Sequence, residues 1–126
     1  MRIISFSKKW DKLKQVEFTT FRFPRKDRDW QVGEFVSVYY KSRTPKRESL
    51  EIAEIISKEQ RAMAWNGDKT GLTKISNEEA IADGFPDSLK QRGYFSMWEF
   101  LWDYYGGERL LNEPMNKLTL KWLIAR

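Results

Sequence analysis

The sequence contains no cysteine and no histidine among its 126 residues. Without cysteine the chain has no disulfide, no thiolate metal ligand and no thiol nucleophile. Without histidine it has no imidazole base to activate a serine, and zinc, which binds mainly histidine and cysteine, is not expected. An enzyme built from this chain would have to use lysine, threonine, serine, aspartate, glutamate or tyrosine, and we predict neither a metal nor another cofactor.

Long apolar runs are also missing. No stretch approaches the roughly 18 consecutive apolar residues of a membrane-spanning helix, and the N-terminal MRIISFSKKW has too short an apolar run for a signal peptide. These absences predict a soluble, cytoplasmic protein without a membrane partner. The length suits a single domain, residues 1–126, and we expect a monomer.

Charge is plentiful and unevenly placed. The net charge is +5, but residues 1–47 carry 13 Lys or Arg against 5 Asp or Glu, a net of +8, whereas residues 48–126 carry 10 against 13, a net of −3. Such a basic half favours an acidic partner, most commonly one with phosphates. The alternative is a solvated basic surface with no partner.

Alternating apolar residues predict strands in the first half of the chain. The predicted strands are Ile3–Phe6, Phe18–Phe23, Glu34–Tyr40 and Leu50–Ile56. The last two form an antiparallel hairpin whose tip, residues 41–48, is basic. Ser7 is expected to cap a short helix that runs to about Gln15. Residues 57–75 are ambiguous, with a candidate strand at Ala62–Trp65.

Helix signals dominate the second half. Capping boxes at Ser76–Glu79 and Ser96–Glu99 predict two short helices, ended by Gly84 and by the pair at 106–107. A final strand is expected at Leu118–Ile124. The whole pattern predicts an α+β fold, a small and mostly antiparallel barrel or sheet with short helices at its side.

Three motifs in this order resemble a known family. The stretch Gln15-Val-Glu17-Phe-Thr-Thr20-Phe-Arg22 is similar to Gly-x-Lys-x-x-Thr-x-Arg, and Trp30-Gln-Val-Gly33-Glu34 is similar to a Val-Gly-Asp-like turn. The stretch Ala80-Ile-Ala-Asp83-Gly84-Phe85 is similar to Ala-x-x-(Asp/Glu)-Gly-Phe. Together they resemble the ASCH domain family of the PUA-like superfamily, small β-barrels often tied to RNA. The resemblance implies a PUA-like barrel flanked by short helices, with RNA or a nucleotide-like ligand as its partner.

Some members of that family resemble amidohydrolases that act on acetylated cytidine with a lysine, a threonine and a carboxylate. The resemblance carries the threonine to Thr20 and the carboxylate to Asp83. It carries the lysine to Glu17, which cannot act as an amine, although its carboxylate could serve as a base. Lys14 lies three residues from that position. We therefore expect the scaffold to persist without this chemistry.

The resemblance also implies a binding site around Thr20 and Arg22, which share one face of a strand and would point together into a cleft. An arginine there could donate two parallel hydrogen bonds to a phosphate or a base edge. The structural alternative pairs Arg22 with Asp83 or Glu17.

Two basic loops could extend such a site. In the first, Arg25, Lys26 and Arg28 could follow a phosphate backbone while Trp30 stacks on a base. The alternative is a solvated loop with Trp30 in the core. In the second, the candidate phosphate ligands are Lys41, Arg43, Lys46 and Arg47, and the alternative is a loop without function.

The remaining aromatic pairs are expected to pack in the core, or for the helix pair in the core or at its rim, rather than to form a binding surface. These pairs are Tyr39 with Tyr40 and Trp98 with Trp102. The leading function is a nucleic-acid-binding module. The alternatives are an amidohydrolase and a protein-interaction module that uses Trp98 and Trp102.

Overall fold

The computed structural model of the chain describes residues 1–63 and 72–124. Within them, one sheet runs in the order β1-β3-β4-β6-β2, and β5 pairs with β4 beside this path. The strands are β1 (Arg2–Phe6), β2 (Glu17–Arg22), β3 (Phe35–Tyr40), β4 (Glu48–Ala62), β5 (Thr73–Lys74) and β6 (Met115–Trp122). The β1–β3 and β4–β5 pairs are parallel and the others are antiparallel. The expected α+β class with a mostly antiparallel sheet is confirmed.

The helices are short and lie outside the sheet. They are a 3-10 turn (Asp11–Lys14), α1 (Asn77–Ala82), α2 (Gly93–Tyr105) and α3 (Gly107–Asn112). The capping box of α1 is present as predicted, because the Ser76 hydroxyl accepts from the Glu79 amide and the Glu79 carboxylate accepts from the Ser76 amide.

Two helix predictions were wrong. The expected helix from Ser7 is reduced to the 3-10 turn, which begins after Trp10 without a side-chain cap. The capping box at Ser96 is not used either, since α2 already begins at Gly93 and the Ser96 hydroxyl donates to the Pro86 carbonyl. A serine inside the first turn of a helix can bond to a nearby carbonyl instead of capping.

The central strand β4 is longer than its apolar alternation suggested. It covers 15 residues and pairs with both β3 and β6. The candidate strand at Ala62–Trp65 begins on the last residue of β4, and residues 64 and 65 lie outside the described residues. In β6, Leu118, Leu120 and Trp122 are buried as predicted, whereas Ile124 lies beyond the strand and is exposed.

Two apolar clusters fill the interior, and β2 separates them. Phe18 on one face of β2 belongs to a cluster that contains Ile55 and Leu120. Phe21 on the other face belongs to a cluster that contains Met97 and Leu101 of α2. The alternation of side chains along a strand makes this division possible. Since β2 is an edge strand, polar residues along it can reach the surface between the two clusters.

The aromatic pairs expected in the core are only partly buried. Tyr39, Tyr40 and Trp98 are half-buried, and Trp102 is 42% exposed. Trp102 lies at the rim rather than in the core, with its indole over the chain at Gly107, which is one of the two placements that the sequence predicted.

The edge strands β1 and β2 approach each other through side chains. The Arg22 Nη2 atom donates to the Ser5 carbonyl at 2.8 Å, and the rings of Phe6 and Phe18 lie 6.2 Å apart. Among the described residues no backbone ladder joins these two strands, so a closed barrel is not shown. The gap between them opens into a cleft. None of the described helices has the length and apolarity to cross a membrane.

Candidate nucleic-acid interface

A buried ion pair lies behind strand β2. The Lys12 Nζ atom donates to Asp83 Oδ1 at 2.9 Å, and the Thr19 hydroxyl donates to the same oxygen at 2.8 Å. Lys12 and Asp83 are each only 5% exposed. An amine, a carboxylate and a hydroxyl thus meet away from solvent.

Gly84 explains how this pair is brought together. It follows α1 with φ +110°, and a Cβ atom there would lie 2.9 Å from Cε3 of Trp10. Only glycine accepts both the positive φ and the close indole. Trp10 therefore packs against the end of α1, and this contact places Lys12 beside Asp83.

Burial affects both partners of the pair. Removal from water lowers the pKa of the Lys12 ammonium and raises the pKa of the Asp83 carboxyl, while their mutual attraction opposes both shifts. A buried ion pair seldom stabilises a fold more than apolar residues of the same size would. The buried Lys12–Asp83 pair is therefore better explained by a role in binding or catalysis than by a contribution to stability.

Thr20 and Arg22 meet at the mouth of this region, as predicted. The Arg22 Nε atom donates to the Thr20 hydroxyl at 3.0 Å, and the guanidinium carbon lies 4.9 Å from the centre of the Phe6 ring. The alternative in which Arg22 bonds to Asp83 or Glu17 was wrong, since Arg22 bonds to Thr20 and Ser5 instead.

Glu17 is exposed and does not line the pocket that contains Thr20 and Asp83. The catalytic role suggested for Glu17 does not fit this position, because the Glu17 and Thr20 side chains are on opposite faces of β2. Lys12, rather than Glu17 or Lys14, is the residue that the fold brings to Asp83.

Two connected cavities surround these groups. The inner pocket has a volume of about 60 Å³. Most of its wall is aromatic or apolar, and its charged groups and buried hydroxyl come from Lys12, Thr20, Arg22 and Asp83. The outer cleft has a volume of about 1070 Å³. Both cavities share Arg22, Tyr104 and Tyr105 in their walls, so Arg22 lies where the cleft narrows into the pocket.

The outer cleft is strongly basic. Among the described residues its wall contains no carboxylate and six cationic side chains, Arg22, Arg25, Lys41, Arg43, Arg47 and Arg109. Arg109 pairs with Glu113 and Arg25 with Asp27, but the other four form no ion pair with any described residue. The cleft therefore has a positive potential that is not neutralised locally.

The 41–47 loop supplies three of these cations. Lys41, Arg43 and Arg47 line the cleft, whereas Lys46 is exposed and lies outside its wall. The base of the loop is fixed to β1, since the Lys41 amide donates to the Phe6 carbonyl at 2.9 Å and the Ser42 amide to the Ser5 hydroxyl at 3.0 Å.

The 25–30 loop contributes much less. Of its cations only Arg25 lines the cleft, while Lys26 and Arg28 are exposed and lie outside the wall. An Arg28 nitrogen lies 3.6 Å from a carboxylate oxygen of Glu34. The prediction that Lys26 and Arg28 face the ligand does not fit this geometry.

Trp30 is part of the core. It is 3% exposed, and the guanidinium of Arg2 lies 4.3 Å from its ring centre. Trp30 borders the outer cleft, but stacking on a base does not fit its low exposure, and the alternative that placed Trp30 in the core is confirmed.

Sequence reasoning missed several residues of the site. Nothing in the sequence distinguished Lys12, which is buried, from Lys14, which is two residues away and exposed. Arg109 follows a glycine pair that was interpreted only as a helix end. Tyr104 had no signal that set it apart from the other aromatic residues of α2, yet it is 64% exposed. The turn at Gly106, with φ +92°, separates α2 from α3 and places Tyr105 and Arg109 on the same cleft.

No protein-family model, curated protein or solved structure matches this chain. The candidate site therefore rests on its own geometry.

Proposed function

We propose that the protein binds nucleic acid, with RNA as the first candidate, in the basic cleft. The observation that carries the proposal is a wall with six cationic side chains and no carboxylate among the described residues. Phosphates are the ligands that such a wall attracts, and their contacts supply most of the sequence-independent affinity of nucleic-acid-binding proteins.

Aromatic residues stand beside these cations. Tyr104 is 64% exposed, and Tyr105 lies next to it in the same wall, with ring centres 4.8 Å apart. An exposed ring beside a phosphate track can stack on an unpaired base. Together these features favour single-stranded segments over a regular duplex.

The resemblance to ASCH domains is the reason for choosing RNA over DNA. A PUA-like barrel is part of this proposal, and the Arg22–Ser5 and Phe6–Phe18 contacts across the two edge strands support it. Equal binding of RNA and DNA oligomers of the same sequence would remove the preference and leave the cleft assignment in place.

The decisive experiment compares cations that line the cleft with one that does not. Arg43→Gln and Arg47→Gln, each alone, should weaken binding of a short RNA and lower the slope of log K against log salt by about 0.7. Lys46→Gln is the matched control, because it removes the same charge from the same loop outside the cleft wall. It should change the slope much less.

Two outcomes would contradict the proposal in different ways. If the three substitutions weaken RNA binding equally, then RNA binds through the overall charge of the surface and not through the cleft. No binding by the unaltered protein at low salt would remove nucleic-acid binding altogether. An NMR titration should shift the amide signals of Arg22, Ser42 and Tyr104 first.

A second candidate function is hydrolysis of an acylated nucleoside, and Lys12 is the observation that favours it. Lys12 supplies the amine that the sequence lacked at Glu17, and it lies in the same pocket as Thr20 and Asp83. Burial lowers the pKa of Lys12 and raises that of Asp83, so transfer of the shared proton from Lys12 to Asp83 would give the neutral amine that this reaction needs as a base. The Thr20 hydroxyl would then attack the acyl carbon as its proton passes to Lys12. Lys12 would return the proton to the nucleoside nitrogen as the acyl–nitrogen bond breaks, and water would hydrolyse the acyl-threonine.

A turnover assay with acylated nucleosides tests this candidate. Thr20→Val should abolish hydrolysis while the protein stays folded, and Lys14→Met, which removes an exposed lysine, should leave the rate unchanged. No turnover by the unaltered protein, or full activity of Thr20→Val, would eliminate it.

A further inference from the structure

We infer that the inner end of the basic cleft binds a terminal phosphate group, at the 5′ or 3′ end of a strand, through Arg22. The inference rests on the proposed nucleic-acid binding and specifies which part of the ligand reaches the pocket. It follows from the bonding of Arg22, the size of the pocket and its charge.

Arg22 has an unused hydrogen-bonding edge. Its Nε and Nη2 atoms donate to the Thr20 hydroxyl and the Ser5 carbonyl, and its Nη1 atom donates to no described residue. Both acceptors are neutral, so the guanidinium has no carboxylate bonded to it. Desolvation is the largest influence on its pKa, which is lowered. An arginine that is partly removed from water and has no carboxylate bonded to it can gain charge-assisted hydrogen bonds from an anionic ligand.

The pocket accepts a group of the right size. Its volume of about 60 Å³ holds roughly four to six water molecules. A phosphate group fits such a space, whereas a whole nucleotide does not. An internal phosphate has the chain on both sides of it and cannot enter a space that excludes nucleotides, so only the end of a strand can place its phosphate there.

The charge of the pocket also favours a phosphate. Lys12 and Asp83 form an ion pair and neutralise each other. The remaining charge in the pocket wall is the positive charge of Arg22. A terminal phosphate carries about −1.5 to −2 at neutral pH, more than an internal one. Arg22 can bind it with charge-assisted hydrogen bonds, which are roughly twice as strong as neutral ones.

The test uses one RNA octamer in three forms, with a 5′-phosphate, with a 3′-phosphate and with hydroxyls at both ends, each labelled at an internal base. Affinity for the unaltered protein is measured by fluorescence anisotropy at fixed salt. One phosphorylated form should bind about ten-fold more tightly than the form with two hydroxyl ends. The form that binds better identifies the end that enters the pocket.

Variants then assign the preference to Arg22. Arg22→Gln should abolish it, and Arg22→Lys, which keeps the charge but not the planar fork, should retain only part of it. Arg43→Gln is the control, because it lines only the outer cleft and should weaken the three forms equally. A preference that survives in a folded Arg22→Gln protein would overturn the assignment.

The outcomes separate this inference from the function on which it rests. Equal affinity of the unaltered protein for all three forms overturns the terminal-phosphate site while RNA binding stands. Failure of every form to bind at low salt overturns both. Because the first comparison uses the unaltered protein, it tests the preference for a terminal phosphate even if Arg22→Gln does not fold, and the more conservative Arg22→Lys then tests whether Arg22 is responsible.

Discussion

The two basic loops of this protein differ in net charge and in how their charges are paired, since residues 25–30 have a net charge of +1 and residues 41–47 of +4. In the 25–30 loop, Arg25 pairs with Asp27 and Arg28 lies beside Glu34, while Asp29 is bonded to Lys58. In the 41–47 loop, the cations form no ion pair with any described residue, and three of them face the cleft. A loop whose charges are paired serves the fold, and one whose charges are unpaired is available to a ligand.

A charge count separates the two loops but does not show what the acidic residues of the 25–30 loop do. Asp29 would be expected to weaken the field of its loop. It turns inward instead, where its carboxylate accepts from Asn116 at 2.9 Å and from the Trp30 amide at 2.9 Å. The first loop is therefore held in place by its acidic residue, which also fixes Trp30 in the core.

The largest predicted effect concerns the most deeply buried paired cation. Lys12→Met should lower the free energy of unfolding by about 3–5 kcal/mol, because it leaves Asp83 buried without a partner. The loss should be greater at pH 8 than at pH 5, since burial raises the pKa of the unpaired Asp83 carboxyl and the fold penalises only its ionised form. Urea unfolding at both pH values checks this prediction.

Two further variants show whether the buried charge is responsible. Lys12→Met combined with Asp83→Asn should recover much of the stability, because the amide oxygen can still accept from the Thr19 hydroxyl. Lys14→Met, at a lysine whose side chain is 84% exposed, should change little. A double variant as unstable as Lys12→Met alone would mean that packing, and not charge, holds this region together.

The next effect distinguishes two aspartates of the 25–30 loop. Asp29→Ala should cost about 2–3 kcal/mol, because it removes contacts to Lys58, Asn116 and two backbone amides. Asp27→Ala, at a side chain that is 65% exposed, should cost less than about 0.5 kcal/mol. Similar losses in thermal unfolding would show that the loop is not anchored through Asp29.

The pH dependence of stability gives a third, smaller effect. Hydrogen bonds from Lys58 and Asn116 outweigh desolvation and lower the pKa of Asp29 to about 2. A carboxyl whose pKa is lower in the folded state stabilises the fold above its unfolded pKa and loses that contribution as the pH falls through its folded pKa. Asp29 should therefore contribute about 2 kcal/mol that disappears between about pH 4 and pH 2.

Glu79 also has a pKa of about 2 and titrates over the same range. The contribution of Asp29 is therefore measured as the difference in the free energy of unfolding between two proteins. The stability difference between the unaltered protein and Asp29→Ala should shrink as the pH falls from 5 to 2. A constant difference would show that the charge of Asp29 does not contribute.

Local signals predicted much of the fold, and long-range contacts determined the site. The β3–β4 hairpin and the capped α1 were predictable because alternation and capping act within a few residues. The meeting of Lys12 with Asp83 was not, because 71 residues separate them and the approach depends on Trp10 packing against Gly84. Thr20 and Arg22 were found because they are two residues apart on one strand.

The smallest predicted effect on stability separates the two loops most directly. Arg28→Gln and Arg43→Gln each remove one exposed arginine, and both should change the free energy of unfolding by less than about 0.5 kcal/mol. Their effects on RNA binding should differ, because Arg43 lines the cleft and Arg28 does not. Anisotropy titrations at low salt should therefore show weaker binding only for Arg43→Gln. Equal weakening would mean that the ligand extends over the 25–30 loop, and the distinction between paired and unpaired charges would then not determine where RNA binds.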